Sequence, residues 1–282
     1  MNNPNPKDVI LWTLRRGEAD TVNMYNYLSE LMQISTGRNF LNFGYWDNTT
    51  KNPTDAQTNL CNLVGNMAEL EKTRHVLDVG SGFSEPAFLW KKTHPNSTIT
   101  CININRNQLK FVNMQTDTPE INLVNATAVK IPISDESCDR IIALESAQHF
   151  KPIKNFISET RRILKKSGII VLAIPALSKP SKFNILKIGI LKLTWSSEHY
   201  DIETIKKIIQ DAGLKIIEIK LVGSNVYLPL AEYYTQNRQF LRSEILKKYP
   251  SYVEKILFKS MLKMKQAAMD NTIEYVLIKC TK

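Results

Sequence analysis

The residues best suited to chemistry gather in one stretch, HVLDVGSGF, from His75 to Phe83. A short apolar run ends at Val79, Gly80-Ser81-Gly82 follows at once, and Glu85-Pro86 is placed to open a helix, where proline's missing N–H costs nothing. Glycines between a strand and a helix let the backbone turn sharply and admit a ligand closely. That ligand is not a dinucleotide. The dinucleotide fingerprint needs glycine or alanine five residues after the first glycine, and Glu85 stands there. A carboxylate at the helix start repels a pyrophosphate, which wants bare N–H groups and a positive dipole. No Lys-Ser/Thr pair follows the glycines, so a phosphate-cradling loop is excluded as well. Asp78, just ahead of the turn, suits a ligand that carries positive charge.

S-adenosylmethionine has an ammonium, a sulfonium and no phosphate. DVGSGF resembles the first motif of the class I S-adenosylmethionine-dependent methyltransferases, D/E-x-G-x-G-x-G, with Ser84 at the third glycine. The resemblance implies S-adenosylmethionine as cofactor, held by Asp78, Gly80, Ser81 and Gly82. It also implies an acidic residue on the ribose hydroxyls at the end of the second strand. Asn103 takes that place, and an amide can accept from one hydroxyl and donate to the other. The run NINRNQ is similar to the N-I-S/T-x-x-Q form of macrolide O-methyltransferases and brings in Ile104 and Gln108, the latter facing inward from a helix. NATAVKIPISDESCD, residues 125–139, resembles G-D-A-x-x-L-P-F-x-D-x-S-F-D, whose Asp meets the adenine amino group; Thr127 occupies that position, and the N–H of Ala128 reaches the ring.

RIIAL, Arg140–Leu144, is a wholly apolar strand that delivers ESAQHF at its carboxyl end, where ligands bind in open α/β sheets. A helical turn beginning there puts Glu145 and His149 on one face. The same E-x-x-x-H spacing occurs in sterol, tocopherol and macrolide methyltransferases. His149 is then the candidate general base for a hydroxyl substrate, or the group that orients it. An unperturbed imidazole titrates near pH ~6.5, and a placed base contributes ~10²–10⁴-fold. Glu145 is the second candidate catalytic group, fixing the cofactor or polarising the substrate. The alternative is a structural histidine. FLNFGYWD resembles an N-F/L-G-Y-W stretch that closes over the cofactor in small-molecule methyltransferases, which implies that Tyr45 and Trp46 stack on adenosine or line the substrate pocket; otherwise they form a hydrophobic clamp that holds the N-terminal helix.

These residues need a scaffold. Apolar spacing predicts a helix over Thr21–Gln33 and another capped by Thr54 or Asp55 that runs to about Leu70. Strands are expected at 76–79, 97–103, 121–124, 140–144, 169–174 (stopped by Pro175), 214–222 and 272–281. Helices are expected at 87–93, from Lys151-Pro152 to a C-cap at Gly168, and over DIETIKKIIQDAG. Residues 176–197, apolar but punctuated by Lys182, Lys187 and Lys192, read as a lid or an interfacial segment. About fifty residues separate the last two strands, far more than a hairpin needs. They are helical by pattern, broken at Pro250, and the resemblance implies that they roof the substrate pocket. Their basic face would favour acidic or phosphorylated acceptors.

The expected fold is α/β: a Rossmann-like, doubly wound seven-strand sheet with the last strand antiparallel, plus a helical cap. Its parts are an N-terminal cap over residues 1–70, a cofactor-binding core over 71–222, an insert over 223–271 and the final strand over 272–282. The length of 282 residues and hydrophobic content of 43% suit a globular protein, with no apolar run long enough to span a membrane and no signal pattern at the start. Cys61, Cys101, Cys138 and Cys280 are scattered, as reduced cytoplasmic thiols are, and no metal-ligand cluster is implied. A net charge of +10 raises nucleic acid or an anionic membrane as partner, but lysine is spread throughout. No nucleic acid is expected: there is no RNA-binding module and no N/D-P-P-Y/F motif. The reading is O-methylation of a small-molecule acceptor. A lipid, C- or N-methyltransferase with peripheral membrane contact, and a non-catalytic cofactor-binding protein, are the alternatives. The oligomeric state is not legible.

Overall fold

The computed structural model describes residues 17–179 and 198–282. Seven strands form one sheet in the order β3-β2-β1-β4-β5-β7-β6: β1 (His75–Val79), β2 (Thr98–Asn103), β3 (Asn122–Asn125), β4 (Cys138–Leu144), β5 (Leu164–Leu177), β6 (Lys215–Leu221) and β7 (Ile273–Thr281). β1 to β5 are mutually parallel, and β7 lies antiparallel between β5 and β6. This is the expected doubly wound sheet with its last strand reversed. The helices are α1 (Glu18–Thr36), α2 (Pro53–Met67), α3 (Glu85–Thr93), α4 (Arg106–Asn113), α5 (Ile153–Ile163), α6 (Ile202–Asp211), α7 (Gly223–Gln236), α8 (Arg238–Leu246) and α9 (Ser251–Met269).

The central strands read as unbroken apolar runs because both faces are covered. Leu77, Val79, Ile141, Ala143, Ile170 and Leu172 pack against Phe156 and Ile157 of α5 and Ile205 of α6. Their neighbours Val76, Ile142, Leu144, Val171 and Ala173 face the other way, toward Leu60 and Val64 of α2 and Val226 and Tyr227 of α7. The chain leaves β1 for β2 on one side and returns for β4 on the other. The strand order reverses there, and a crevice opens beyond the carboxyl ends.

Several boundaries differ from expectation. α1 is longer than Thr21–Gln33 and stops where Gly37, at φ 81°, turns its N–H back to Gln33 at 2.7 Å. The cap of α2 is Asn52, whose side chain accepts from the Asp55 N–H at 3.0 Å; Pro53 fills the first helical position, so neither Thr54 nor Asp55 caps it. Gly168 caps nothing, since α5 passes directly into β5 at Leu164. Pro175 does not stop β5, which continues to Leu177. The Ala173 carbonyl accepts from the Glu145 N–H on the β4 side, so two residues on Pro175 also faces that side, past the end of β4. A missing N–H is tolerated at such an edge. Residues 180–197, most of the expected lid, lie outside the described residues.

The insert is helical and breaks at Pro250, as expected. Its last two helices are tied by Glu254, fully buried on α9, which accepts from Arg238 at 2.8 Å and Arg242 at 2.7 Å, both on α8.

Candidate functional site

The glycine turn is held in a conformation that side chains resist. Gly80, Gly82 and Ser84 have φ of 78°, 55° and 58°. A Cβ on Gly80 would stand 2.3 Å from the Cβ of Ser146. Ser146 is fixed there because its hydroxyl donates to the Val79 carbonyl at 2.6 Å, locking the end of β4 onto the end of β1. Ser84 adopts by itself the left-handed conformation that glycine takes more readily, and its hydroxyl meets that of Ser81 at 3.2 Å.

Over the turn lies a cavity. Of the residues expected from sequence, Gly80, Ser81, Gly82, Asn103, Ile104, Gln108, Ala128, Glu145 and His149 line it. Asp78 sits directly behind the turn, 2% exposed. Thr127, Tyr45 and Trp46 are not among the lining residues.

Asn103 is more committed than its position suggested. Its Nδ2 donates to the Gly82 carbonyl and to Gln108 Oε1, both at 2.9 Å, and its Oδ1 accepts from the Asn105 N–H at 3.0 Å. Both donors are used inside the protein, so toward a diol Asn103 can only accept. Gln108 faces inward, as expected, and its Nε2 donates to Ser29 Oγ on α1 at 3.0 Å. Thr127 turns its hydroxyl to Glu18 Oε1 at the start of α1.

The roof of the cavity is therefore α1, an amphipathic helix that the sequence places in the N-terminal cap without marking any of its residues for the site. Glu18, Thr21, Val22 and Tyr25 line the cavity, while Asn26 and Ser29 bind the loops below through Asn105 at 3.1 Å and Gln108. Glu18, Val22, Tyr25, Asn26 and Ser29 are spaced as one helix face. Polar residues within an otherwise apolar stripe were the available signal. No insert residue is among the lining residues described.

Glu145 and His149 do not share a helical turn. Glu145 is left-handed at φ 50°, and a 3-10 turn over Ala147–His149 follows. The kink still brings both to the cavity. Glu145 Oε1 accepts from the Phe43 N–H and the Tyr275 hydroxyl, both at 2.8 Å. His149 Nε2 lies 3.0 Å from the Tyr25 hydroxyl. Tyr25 was missed because its role depends on how α1 docks.

Trp46 belongs to a clamp. Its N–H donates to the Asn225 carbonyl at 2.8 Å, its own carbonyl accepts from Asn225 Nδ2 at 2.9 Å, and its ring lies 5.6 Å from that of Tyr233. Tyr45 is pinned by an N–H to Ala56 at 2.8 Å. The stretch that includes Phe43 thus joins α2 and the insert to Glu145.

The electrostatics suit a cation. The chain carries +10 overall, yet the described lining holds Glu18 and Glu145 and neither lysine nor arginine. Burial pushes the Glu145 carboxyl up to about 8, against the pull of Phe43 and Tyr275, and burial alone pushes Asp78 up to about 7. Asp78 Oδ2 has no hydrogen-bond partner among the described residues. An orphaned acid behind a turn whose glycines leave room for a ligand fits a positively charged nucleoside. Acids raised in the folded state stabilise it below their unfolded values of 3.8 and 4.5 and lose that contribution as pH rises through about 7 and 8. The ligand-free protein should therefore melt at lower temperature as pH climbs from 5 to 8, relative to an Asp78→Asn, Glu145→Gln double variant. Parallel melting curves for the two proteins would refute this.

Comparison with known proteins places this geometry. Residues 77–172 match the methyltransferase domain family. The chain is 23% identical over 246 residues to erythromycin 3''-O-methyltransferase of Saccharopolyspora erythraea, covering 81% of this chain and 79% of that protein. In fold it is similar to the [4+2]-cyclase SpnF, with TM-score 0.76, 19% identity and coverage of 94% and 96% of the two chains. It is also similar to a phosphoethanolamine N-methyltransferase 2 of Haemonchus contortus solved with S-adenosyl-L-methionine, with TM-score 0.67, 16% identity and coverage of 79% and 52%. No helix among the described residues is long and apolar enough to cross a membrane. Residues 77–172 thus carry a methyltransferase domain, built on this glycine turn and on the doubly wound sheet that its fold neighbours share.

Proposed function

We propose that the chain methylates a hydroxyl oxygen on a small, uncharged, largely apolar acceptor, with His149 taking the proton. One observation carries this reading: the described lining sets a lone imidazole among Val22, Leu41, Phe83, Leu144 and Phe150, with carboxylates and no cationic side chain. A phosphorylated or carboxylated acceptor would enter without a counter-charge and lose its hydration. The insert's basic face does not alter this, since the insert is absent from the described lining.

When bound, S-adenosylmethionine supplies an electrophilic methyl group; the acceptor oxygen takes that methyl and gives its proton to His149. The chain's own contribution is position. Gly80, Ser81 and Gly82 admit the cofactor closely, Asp78 balances its charge, and Asn103, Ile104, Gln108 and the Ala128 N–H shape the nucleoside end. Glu145, held by Phe43 and Tyr275, lines the cavity as a fixed carboxyl. Residues 17–70 and 223–271 act as caps on a core of 71–179, 198–222 and 272–282, and the insert tunes the site through the Phe43–Trp46 clamp. Aligning acceptor and methyl in a closed crevice supplies most of the acceleration.

Calorimetric titration of S-adenosylmethionine and S-adenosylhomocysteine, with Asp78→Ala beside the wild type, tests the cofactor. Micromolar binding lost in the variant is expected. The acceptor is tested with pairs of a neutral alcohol and its phosphate ester, scored by methyl transfer from labelled cofactor. Turnover confined to the phosphate esters would reject the uncharged acceptor.

A further inference from the structure

We propose that Glu18, on the roof helix, recognises the base of the cofactor through its exocyclic amine. The inference rests on the cofactor reading above.

The cavity has two ends. Glu145 and His149 lie at the end of β4, while Asn103 and Ile104 follow β2, and Ala126 and Ala128 follow β3. In a doubly wound sheet the residue ending the second strand meets the ribose. The reacting group therefore lies over β4, and the base lies on the far side of Asn103, over the loop after β3.

What could read the base there? Asn103 has spent both donors on Gly82 and Gln108. Thr127 has turned its hydroxyl away to the roof. Glu18 is the one ionisable side chain among the described lining residues at that end. Thr127 occupies Oε1, and Oε2 carries no hydrogen bond among the described residues. A carboxylate only accepts. Adenine offers it an N–H donor, whereas hypoxanthine presents a carbonyl at the same position and would be repelled.

The helix is placed to hold this contact. Asn26 meets Asn105 at 3.1 Å and Ser29 meets Gln108 at 3.0 Å, so α1 is tied to the loop after β2 and to α4 about two and three turns beyond Glu18.

The test compares S-adenosylhomocysteine with S-inosylhomocysteine by calorimetry, which needs no acceptor or turnover. A hydrogen bond to a charged group implies that wild type prefers the adenine ligand by about ten- to a hundredfold. Glu18→Gln should collapse that preference, because an amide can serve either base. Thr127→Val, which frees Glu18 from its holder, should narrow it in the same direction. Asn26→Ala, which loosens the roof alone, should weaken both ligands alike and keep their ratio. Melting temperatures confirm that each variant folds. A Glu18→Gln protein with the wild-type ratio, or one that weakens both ligands equally, overturns the proposal while leaving the cofactor reading intact. Failure of wild type to bind either ligand defeats the cofactor reading itself, and the proposal with it.

Discussion

His149→Ala is expected to lower methyl transfer to an alcohol about 10²–10⁴-fold while leaving cofactor affinity nearly unchanged. The imidazole is 8% exposed and lines the cavity from a 3-10 turn whose His149 N–H is fixed on the Ser146 carbonyl at 2.9 Å. Its Nε2 faces the Tyr25 hydroxyl at 3.0 Å. Burial, with the Glu145 charge as a smaller cause, pushes the Tyr25 hydroxyl well above its ordinary value. Tyr25 therefore keeps its proton and can donate it to Nε2, holding the ring in place; an acceptor hydroxyl must displace that contact before Nε2 can take its proton. Tyr25 is a positioning residue, and Tyr25→Phe should cost about tenfold or less, compared with the larger loss at His149. If the proton instead passed through Tyr25, the two variants would be equally impaired. The pH profile separates a base from a structural histidine: wild-type kcat/KM should rise with pH through an imidazole titration that His149→Ala lacks. A flat wild-type profile would remove His149 from the chemistry.

What could be read from the sequence follows the range of the interaction that fixes each feature. DVGSGF is legible because its chemistry is local: two glycines at positive φ and a buried acid lie within five residues. β1, β4 and β5 are legible because burial on both faces leaves an apolar run whatever their neighbours are. Pro175 misled because an edge is a property of the sheet, and only the end of β4 makes the proline harmless. Glu145 and His149 were paired by helical spacing; a left-handed kink brought them to the same cavity by another route. Trp46 resolved as a clamp only once Asn225, 179 residues on, was in place. The cap was legible, but the residues that it sends into the cavity were not. Tyr25 reads as one more apolar position on α1 until His149, 124 residues away, meets it.

Gly80→Ala is expected to weaken cofactor binding by about a hundredfold or more, and Gly82→Ala much less. Both residues sit at positive φ, where a Cβ costs ~1–2 kcal/mol of backbone strain. The difference lies in what each new methyl meets. At Gly82 the nearest atom is Leu41 Cδ1 at 3.0 Å, the far end of a side chain that can rotate away. At Gly80 it is Ser146 Cβ at 2.3 Å, an atom that moves only with its backbone. Ser146 cannot yield cheaply, because its hydroxyl holds Val79 and the next two residues toward β4 lead straight into a paired strand. The turn must open instead, pulling the Gly80 N–H from the Ile102 carbonyl that it meets at 2.7 Å. That carbonyl also holds the Ser81 N–H, so the floor of the crevice shifts as a unit. Titration of S-adenosylhomocysteine into both variants, each checked for a folded melting transition, measures the contrast. Equal losses in the two would mean that backbone strain, not the Ser146 clash, sets the effect, and wild-type affinity in both would mean that the turn after β1 does not carry the cofactor.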